Sequence, residues 1–330
     1  MNLQTLWRNV ESRLNEDRPD WREDITRFGQ VSAVESRNEG NAWSNQEVFR
    51  ALLMAVLSVG DWSKIESIKP DLEERFSGFD LEKYARRSES YVTDILVPWF
   101  EDETRKAGFP YLKDGLIELI GAADILVKHC EKNDGAADSY FTQLMKKHDD
   151  DPKQVALCLG MEGSEHKLPS LGVPLAAEAL KNLGFDVAKP DRHVCRAVAV
   201  FGLIDIEPLG KKFEAPAKKK EILRQTMAKV EEIANAADKR IAFIDNAIWM
   251  LGAKEPSGLH LTNQQLAELA GNNLIQHKDM NGLLALLDSW AKDGDVEEQK
   301  ETLEYLIHAL DENRPEGYKL FPPELKGKTW

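Results

Sequence analysis

Asp191 is the residue in this chain whose setting best suits it for chemistry. It follows the loop at residues 185–190 and precedes apolar residues at helical spacing, so we expect it at or near a helix N-terminus. There the helix dipole and the free backbone N–H groups favour the ionised carboxylate at neutral pH. A fixed anion of this kind is suited to stabilising a cationic sugar. The alternative is a plain helix cap, the commoner role of an aspartate at a helix start.

A short turn rich in proline and glycine, residues 168–172, stands before an amphipathic helix. That helix runs from Ala176 to Leu183 and stops at Gly184, a suitable residue for a helix end. The order predicts two helices joined by a hairpin. A tight loop at a helix start points backbone N–H groups outward, where they can hold a phosphate without any lysine. The segment can therefore dock on a nucleic acid even in an acidic protein.

Three segments together resemble the helix-hairpin-helix DNA glycosylase superfamily. They are the turn at residues 168–172, the helix that follows it, and residues 191–196, which read Asp-Arg-His-Val-Cys-Arg. More loosely, residues 49–58 are similar to the first core helix of that family, and residues 244–249 resemble a late helix. The resemblance covers about two thirds of the chain and leaves the residues after Leu259 unexplained.

The resemblance implies an all-α fold in which two helical domains flank a cleft, with a small helical C-terminal extension. It also implies a monofunctional DNA N-glycosylase that extrudes a damaged or mispaired nucleotide and hydrolyses its N-glycosidic bond, with Asp191 as the catalytic carboxylate. Alkylated purines are the favoured substrates, because a cationic base leaves without a strong general acid. The expected partner is double-stranded DNA, bound by a monomeric protein. No cofactor is expected beyond the option of a monovalent cation at the hairpin.

The DNA contacts that the resemblance implies lie in the hairpin and at the start of the helix after Asp191. They are Pro169, Ser170, Leu171, Gly172, Val173, Pro174, Leu175, His193 and Arg196. His193 and Arg196 also have structural alternatives, as an interior histidine and as a partner in a surface ion pair.

A pocket for the base is expected from aromatic residues, because such pockets stack the flipped base on aromatic faces. The candidates are Trp62, Trp99, Phe100 and Tyr111, with Trp43 as a further one. Core packing is the alternative for each of these rings.

The chain departs from the family pattern at several positions. Ser170 replaces the first glycine of the usual hairpin, and Leu175 stands where bifunctional members carry the lysine that forms a Schiff base. Val59 and Gly60 stand where many members have a glutamine that fills the gap left by the flipped base. The four-cysteine motif of an iron–sulfur cluster is absent from the sequence.

The overall charge is acidic, which by itself opposes a nucleic-acid partner. Lysine and arginine number 43 against 57 aspartate and glutamate, for a net charge of −14. The basic residues are unevenly distributed, however. Residues 166–196 hold five bases against three acids, and a second basic run includes residues 211–212 and 218–220.

Composition excludes several other classes. Cys130, Cys158 and Cys195 are too dispersed for a disulfide framework or a cysteine-bound metal. No apolar run approaches membrane-spanning length and no signal peptide is evident, so we expect a cytoplasmic protein without a membrane partner.

Apolar residues recur at helical spacing, and period-two alternation is hard to find, so the sequence predicts a nearly all-α chain. Breaks rich in polar residues, proline or glycine suggest four parts. These are an N-terminal region (1–42), a central domain with the hairpin (43–206), returning helices that pack with the N-terminal region (207–253), and an extension of unknown role (259–330). Two other functions stay open: a DNA-binding module without the chemistry, and a helical scaffold for protein partners.

Overall fold

The computed structural model describes residues 2–60, 62–103, 112–133, 135–204 and 220–271, with the backbone alone at residue 62. The chain divides into two units, Met1–Asn272 and Asn273–Trp330, and all the described residues belong to the first. None of the described helices combines the length and the apolar composition that a membrane span requires.

The described residues form helices and no strand, which confirms the expected all-α character. The first nine helices are α1 Leu3–Asp17, α2 Trp21–Phe28, α3 Gln30–Asn38, α4 Asn45–Leu57, α5 Trp62–Ile68, α6 Leu72–Arg75, α7 Leu81–Ala85, α8 Glu89–Tyr91 and α9 Val97–Glu103. A 3₁₀ turn, Lys69–Asp71, precedes α6, and a π-helical turn, Val92–Leu96, precedes α9. The other helices are α10 Leu112–Cys130, α11 Asp138–Lys147, α12 Pro152–Gly160, α13 Val173–Asn182, α14 Arg192–Val200, α15 Lys220–Ala237, α16 Ile241–Gly252 and α17 Asn263–Leu269.

Local sequence signals set several helix ends. α4 begins with a capping box, in which the Ser44 hydroxyl accepts the Glu47 N–H and the Glu47 carboxylate accepts the Ser44 N–H. α17 begins in the same way at Thr262 and Gln265. Such caps satisfy backbone N–H groups that have no partner within the helix.

The end of α12 packs closely against the start of α13. A Cβ atom at Gly160 would lie 2.4 Å from the backbone nitrogen of Val173, so only glycine fits at this contact. The Leu168 N–H donates to the Leu159 carbonyl at 3.0 Å, which draws the returning chain back onto α12. The expected pair of helices joined by a turn is present at this place.

Two groups of helices bury separate aromatic clusters. α4, α7 and α10 pack together, and the ring of Tyr84 lies 4.8 Å from Phe49 and 5.7 Å from Phe76, measured between centroids. α1 packs against α15 and α16, and α16 also packs against α2, where the rings of Trp21 and Phe243 lie 5.4 Å apart. The N-terminal helices therefore pack with helices that follow residue 219.

α17 returns to the body of the first unit. The Leu259 N–H donates to the Met250 carbonyl and the Leu261 N–H to the Leu251 carbonyl, both at 2.8 Å, so the chain runs back along α16. α17 itself packs against α14 and α1. The sequence analysis placed residues 259–271 in the C-terminal extension, whereas the division between units falls after Asn272.

Candidate active site

Asp191 is the residue that begins α14, as the sequence predicts. Its Oδ1 atom accepts the backbone N–H of His193 at 2.8 Å and that of Val194 at 3.0 Å. Its other carboxylate oxygen, Oδ2, accepts no hydrogen bond from the residues that the structure describes. Asp191 is half-buried and lines a cleft, so one oxygen caps the helix while the other is available to a ligand.

The loop before Asp191 is anchored at its start. Gly184 has a φ of 78°, and a Cβ atom there would lie 2.3 Å from the Ala33 carbonyl oxygen, so glycine is required by both conformation and space. The expected end of the preceding helix at Gly184 is thus confirmed. Two residues later, the Asp186 carboxylate accepts the N–H groups of Ile241 and Ala242 and caps α16.

The cleft has a volume of about 640 Å³ and is lined by residues from many elements. One side comes from the end of α2, the start of α3 and α4. The other side comes from α13, the start of α14, α16 and the turn after it. A volume of this size can hold a drug-sized ligand or a nucleobase with its sugar.

Lys181 lines the cleft and is only 1% exposed, so it belongs to the cleft floor. Its Nζ atom lies 2.5 Å from Asp245 Oδ2, 3.0 Å from Asn246 Oδ1 and 3.4 Å from Glu178 Oε2. Burial alone would lower the pKa of Lys181, but Asp245 and Glu178 outweigh it and raise that pKa above its ordinary value. The ammonium therefore stays charged and binds α13 to α16.

Amide side chains complete the floor. Gln30 donates to Glu178 Oε1 and to Asn182 Oδ1, each at 2.8 Å, and accepts from Asn246 Nδ2 at 3.0 Å. Burial raises the pKa of Glu178, but the neighbouring lysines outweigh it and lower that pKa to about 2. The polar groups of the floor thus satisfy one another and hold Glu178 as an anion.

Lys189 lies between this floor and Asp191. Its ammonium donates to Ser58 Oγ at 2.9 Å, at the end of α4, and lies 3.8 Å from Glu178 Oε2. Its backbone N–H donates to Asp245 Oδ1 at 3.0 Å. Lys189 therefore connects the loop before Asp191 with α4, α13 and α16.

An aromatic wall lies beside Asp191. The ring of Trp249 lies 6.1 Å from Phe28 and 6.4 Å from His193, both in edge-to-face geometry, and all three residues line the cleft. Burial lowers the pKa of His193, so its ring is neutral at pH 7. The Nε2 atom of this ring accepts a hydrogen bond from Arg192 Nε at 3.2 Å. His193 thus faces the cleft as a neutral, half-buried ring.

The aromatic residues expected in the base pocket lie elsewhere or outside the described residues. Phe100 is 1% exposed and packs against Phe76 and Trp99, and neither Phe100 nor Trp99 lines the cleft. The alternative of core packing therefore holds for Phe100, whereas Trp99 is half-buried. Tyr111 and the side chain of Trp62 lie outside the described residues. Trp43 does line the cleft.

The hairpin residues differ in what they can offer to a ligand. Leu171 and Val173 are buried, so their side chains belong to the core and only their backbone can reach DNA. Ser170 adopts a φ of 71° and its N–H donates to Glu118 Oε2 at 2.8 Å, so the tight turn forms with serine in place of glycine. Gly172 is exposed, whereas Pro169, Pro174 and Leu175 are half-buried. None of these seven residues lines the cleft.

The hairpin carbonyls already have a cationic partner. Lys167 Nζ donates to the Leu171 carbonyl at 2.7 Å and to the Leu168 carbonyl at 3.2 Å. Carbonyl oxygens are the ligands that a bound monovalent cation would need. An ammonium of the chain itself holds these two.

Arg196 is half-buried and bonds to the chain that follows α16. Its Nη2 atom donates to the Leu261 carbonyl at 2.9 Å, and burial lowers the pKa of the guanidinium. Gly252 leaves the room for this side chain, because a Cβ atom there would lie 3.2 Å from Nη2. Arg196 therefore links α14 to the chain after α16, and its expected DNA contact stays a prediction.

Sequence reasoning missed the floor of the cleft and its aromatic wall. Lys181, Asp245 and Trp249 had no assigned site role, although Lys181 and Asp245 interrupt apolar helix faces and thereby indicate buried partners.

The described residues contain no group of three or more His, Cys, Asp and Glu side chains that could hold a metal ion. The chain matches no protein family model, no curated protein and no solved structure.

Proposed function

We propose that this protein is a monofunctional DNA N-glycosylase that acts in DNA repair. The observation that carries the proposal is the position of Asp191, whose carboxylate begins α14 and lines the cleft. In the proposed reaction a damaged or mispaired nucleotide is extruded into the cleft, and Asp191 stabilises the oxocarbenium-like sugar as the bond from C1′ to the base breaks. Water then adds to C1′ and loses one proton to the Asp191 carboxylate, which passes it to the departing base or, where the base was cationic, to solvent. The products are the free base and an abasic site in an intact strand.

The pairing of charges in the cleft floor supports this role. Lys181 is paired with Asp245, and Lys189 lies near Glu178, so two ammonium groups balance two carboxylates in the cleft floor. Asp191 adds one further negative charge at the cleft surface. A charge that is fixed in place before the reaction stabilises a developing cation without reorganisation.

The aromatic wall supports alkylated purines as the substrates. Stacking of a base on an aromatic side chain contributes about 1–3 kcal/mol. A positively charged base gains a further cation–π attraction from Trp249 and Phe28. Because His193 is neutral at pH 7, it does not repel such a base. A cationic base also leaves readily, so the reaction needs no strong general acid.

The start of α13 supports docking on duplex DNA. Gly172 is exposed and precedes a helix whose first N–H groups lack intrahelical partners, which is the usual setting for a phosphate. The same helix carries Glu178, roughly 8 Å further along its axis at 1.5 Å per residue. One rigid element therefore links the proposed phosphate contact to the cleft floor.

The test is a panel of duplexes, each with one damaged or mismatched base, incubated with the protein and then treated with alkali to cleave abasic sites. We expect alkali-dependent strand breaks at an alkylated purine. If no duplex is cleaved, the glycosylase proposal fails. Tight duplex binding without cleavage would then indicate a DNA-binding module, and the absence of any salt-dependent binding would indicate a protein scaffold.

A further inference from the structure

Asp245 contacts the chain next to Asp191 while lying on a different helix. It belongs to α16 and is 1% exposed. Its Oδ1 atom accepts the backbone N–H of Lys189 at 3.0 Å, and its Oδ2 atom accepts from Lys181 Nζ at 2.5 Å. Both oxygens are therefore committed, one to the loop before α14 and one to α13.

The backbone from Lys189 to Asp191 forms a tight turn, and the N–H groups of both residues donate hydrogen bonds. The Asp191 N–H donates to the Lys189 carbonyl at 2.8 Å, and the Lys189 N–H donates to Asp245. Pro190 between them has a fixed φ and no N–H to donate. Asp245 thus accepts the hydrogen bond of the Lys189 N–H, which is the last backbone donor before Asp191.

Burying the charges of Lys181 and Asp245 costs desolvation free energy, so a gain in stability does not by itself explain why the pair is there. Replacing a buried ion pair by apolar residues of similar volume is often neutral or stabilising, because desolvating two charges offsets their attraction. What a buried pair does provide is a fixed arrangement of the elements that carry it. Here those elements are α13, α16 and the loop that ends at Asp191.

We infer that Asp245, with its second oxygen held by Lys181, is a positioning residue that fixes the Lys189–Asp191 turn and thereby the direction of the Asp191 carboxylate. The effect of Asp245 on catalysis rests on the proposed function, whereas its effect on the turn does not depend on that function. Asp245 touches neither the sugar nor the base in this scheme. It acts through the backbone of Lys189.

The experiment compares three proteins with the wild type. The double variant Lys181→Met/Asp245→Leu removes both charges of the pair and leaves Glu178 with Lys189. The matched variant Lys181→Met/Asp245→Asn removes the same charges but keeps an oxygen for the Lys189 N–H, and Asp186→Ala is the control. Asp186 also ties this loop to α16, but at the N–H groups of Ile241 and Ala242. Two quantities are measured: hydrogen exchange of the Lys189 amide, relative to buried amides of α16, and the single-turnover rate on the best duplex.

We expect Lys189 amide exchange to become at least about 10-fold faster in the double variant, because its acceptor is lost, and to stay near the wild-type value in the matched variant and in Asp186→Ala. We expect the excision rate of the double variant to fall at least about 10-fold with duplex affinity unchanged, because a displaced catalytic group slows the chemical step alone. Unchanged amide exchange would overturn the inference. Faster exchange with an unchanged excision rate would overturn it as well.

The outcome also separates this inference from the proposed function. If the wild type excises no base from any duplex, the proposed function fails, and amide exchange still decides whether Asp245 fixes the turn. If the double variant does not fold, the same decision comes from Lys181→Met/Asp245→Ser, in which the shorter side chain leaves the Lys189 N–H without its acceptor and no lysine at position 181 stays charged. Faster exchange in that variant supports the inference, and unchanged exchange overturns it.

Discussion

Asp191 accepts the backbone N–H of His193 through Oδ1 at 2.8 Å, so the carboxylate that lines the cleft is also the cap of α14. The two roles use different properties of the side chain. Capping needs an oxygen that accepts a hydrogen bond, which asparagine also offers. Stabilising a cation needs the negative charge, which asparagine lacks. The substitution Asp191→Asn therefore separates the capping role of Asp191 from its proposed catalytic role.

We expect Asp191→Asn to lower the single-turnover excision rate by at least about 100-fold while duplex affinity stays the same or improves. The thermal midpoint should change little, because the cap is retained. The matched control is Asp80→Asn, since Asp80 caps α7 through the N–H of Lys83 but does not line the cleft. A wild-type rate in Asp191→Asn would remove the catalytic assignment.

The helix ends near the site could be predicted from sequence because their signals are local. Gly184 supplies the left-handed conformation that ends a helix, and Asp191 supplies the oxygen that begins one. Neither signal depends on distant residues.

The cleft floor could not be predicted in the same way, because burial is a property of the tertiary structure. Lys181 and Asp245 are 64 positions apart in the sequence yet form an ion pair. Lys181 lies four residues after Ala177 and so shares its apolar helix face, which indicates a buried lysine but not its partner. Phe100 shows the opposite case: it was a candidate for the base pocket, whereas α9 carries its ring into the core.

The aromatic wall leads to a prediction about where the base binds, in the cleft beside Trp249 or in the pocket that the sequence predicts at Trp99. Trp249→Leu should lower excision of an alkylated purine by about 10-fold or more, because leucine keeps an apolar side chain but loses stacking and cation–π attraction. Trp99→Leu is the matched control and should leave the rate unchanged, because Trp99 packs on Phe100 away from the cleft. Equal losses in both variants would indicate a general effect on folding instead of base recognition.

A charge at the start of α13 tests the proposed phosphate contact. Gly172 is exposed with a φ of −75°, and a Cβ atom there meets only Pro174 Cδ, at 3.9 Å, so a side chain fits without disturbing the fold. Gly172→Glu should weaken duplex binding about 10-fold at fixed salt, because the carboxylate repels phosphate at the N–H groups. Gly172→Ala should bind nearly as the wild type does. Unchanged affinity in Gly172→Glu would assign the turn to packing alone.

The buried carboxylate of Glu178 makes stability depend on pH in a defined direction. Burial raises its pKa, but Lys181 and Lys189 outweigh burial and lower the pKa from 4.5 to about 2. Between these values the folded protein binds fewer protons at Glu178 than the unfolded chain does. Glu178 therefore stabilises the fold above pH 4.5, and this contribution is lost as the pH falls towards 2.

Glu178→Gln should remove that dependence. We expect the wild type to exceed the variant in free energy of unfolding by an amount that is greatest above pH 4.5 and shrinks by about 3 kcal/mol as the pH falls towards 2. Urea unfolding of both proteins across this range measures the difference. A difference that stays constant with pH would show that the lysines do not hold Glu178 as an anion.

The final prediction concerns the strand after the base has left. Cleaving it by elimination requires a neutral amine that forms a Schiff base with the sugar carbon, and Leu175 cannot supply one. The lysines nearest to Leu175 and Asp191 in the sequence are already engaged: Lys167 donates to hairpin carbonyls, Lys181 is held by Asp245, and Lys189 donates to Ser58. We therefore expect borohydride to trap no covalent adduct between protein and DNA, and strand breaks to appear only after alkali. An adduct that forms with the wild type and disappears in Lys189→Arg would contradict the attack by water and assign the nucleophile to Lys189.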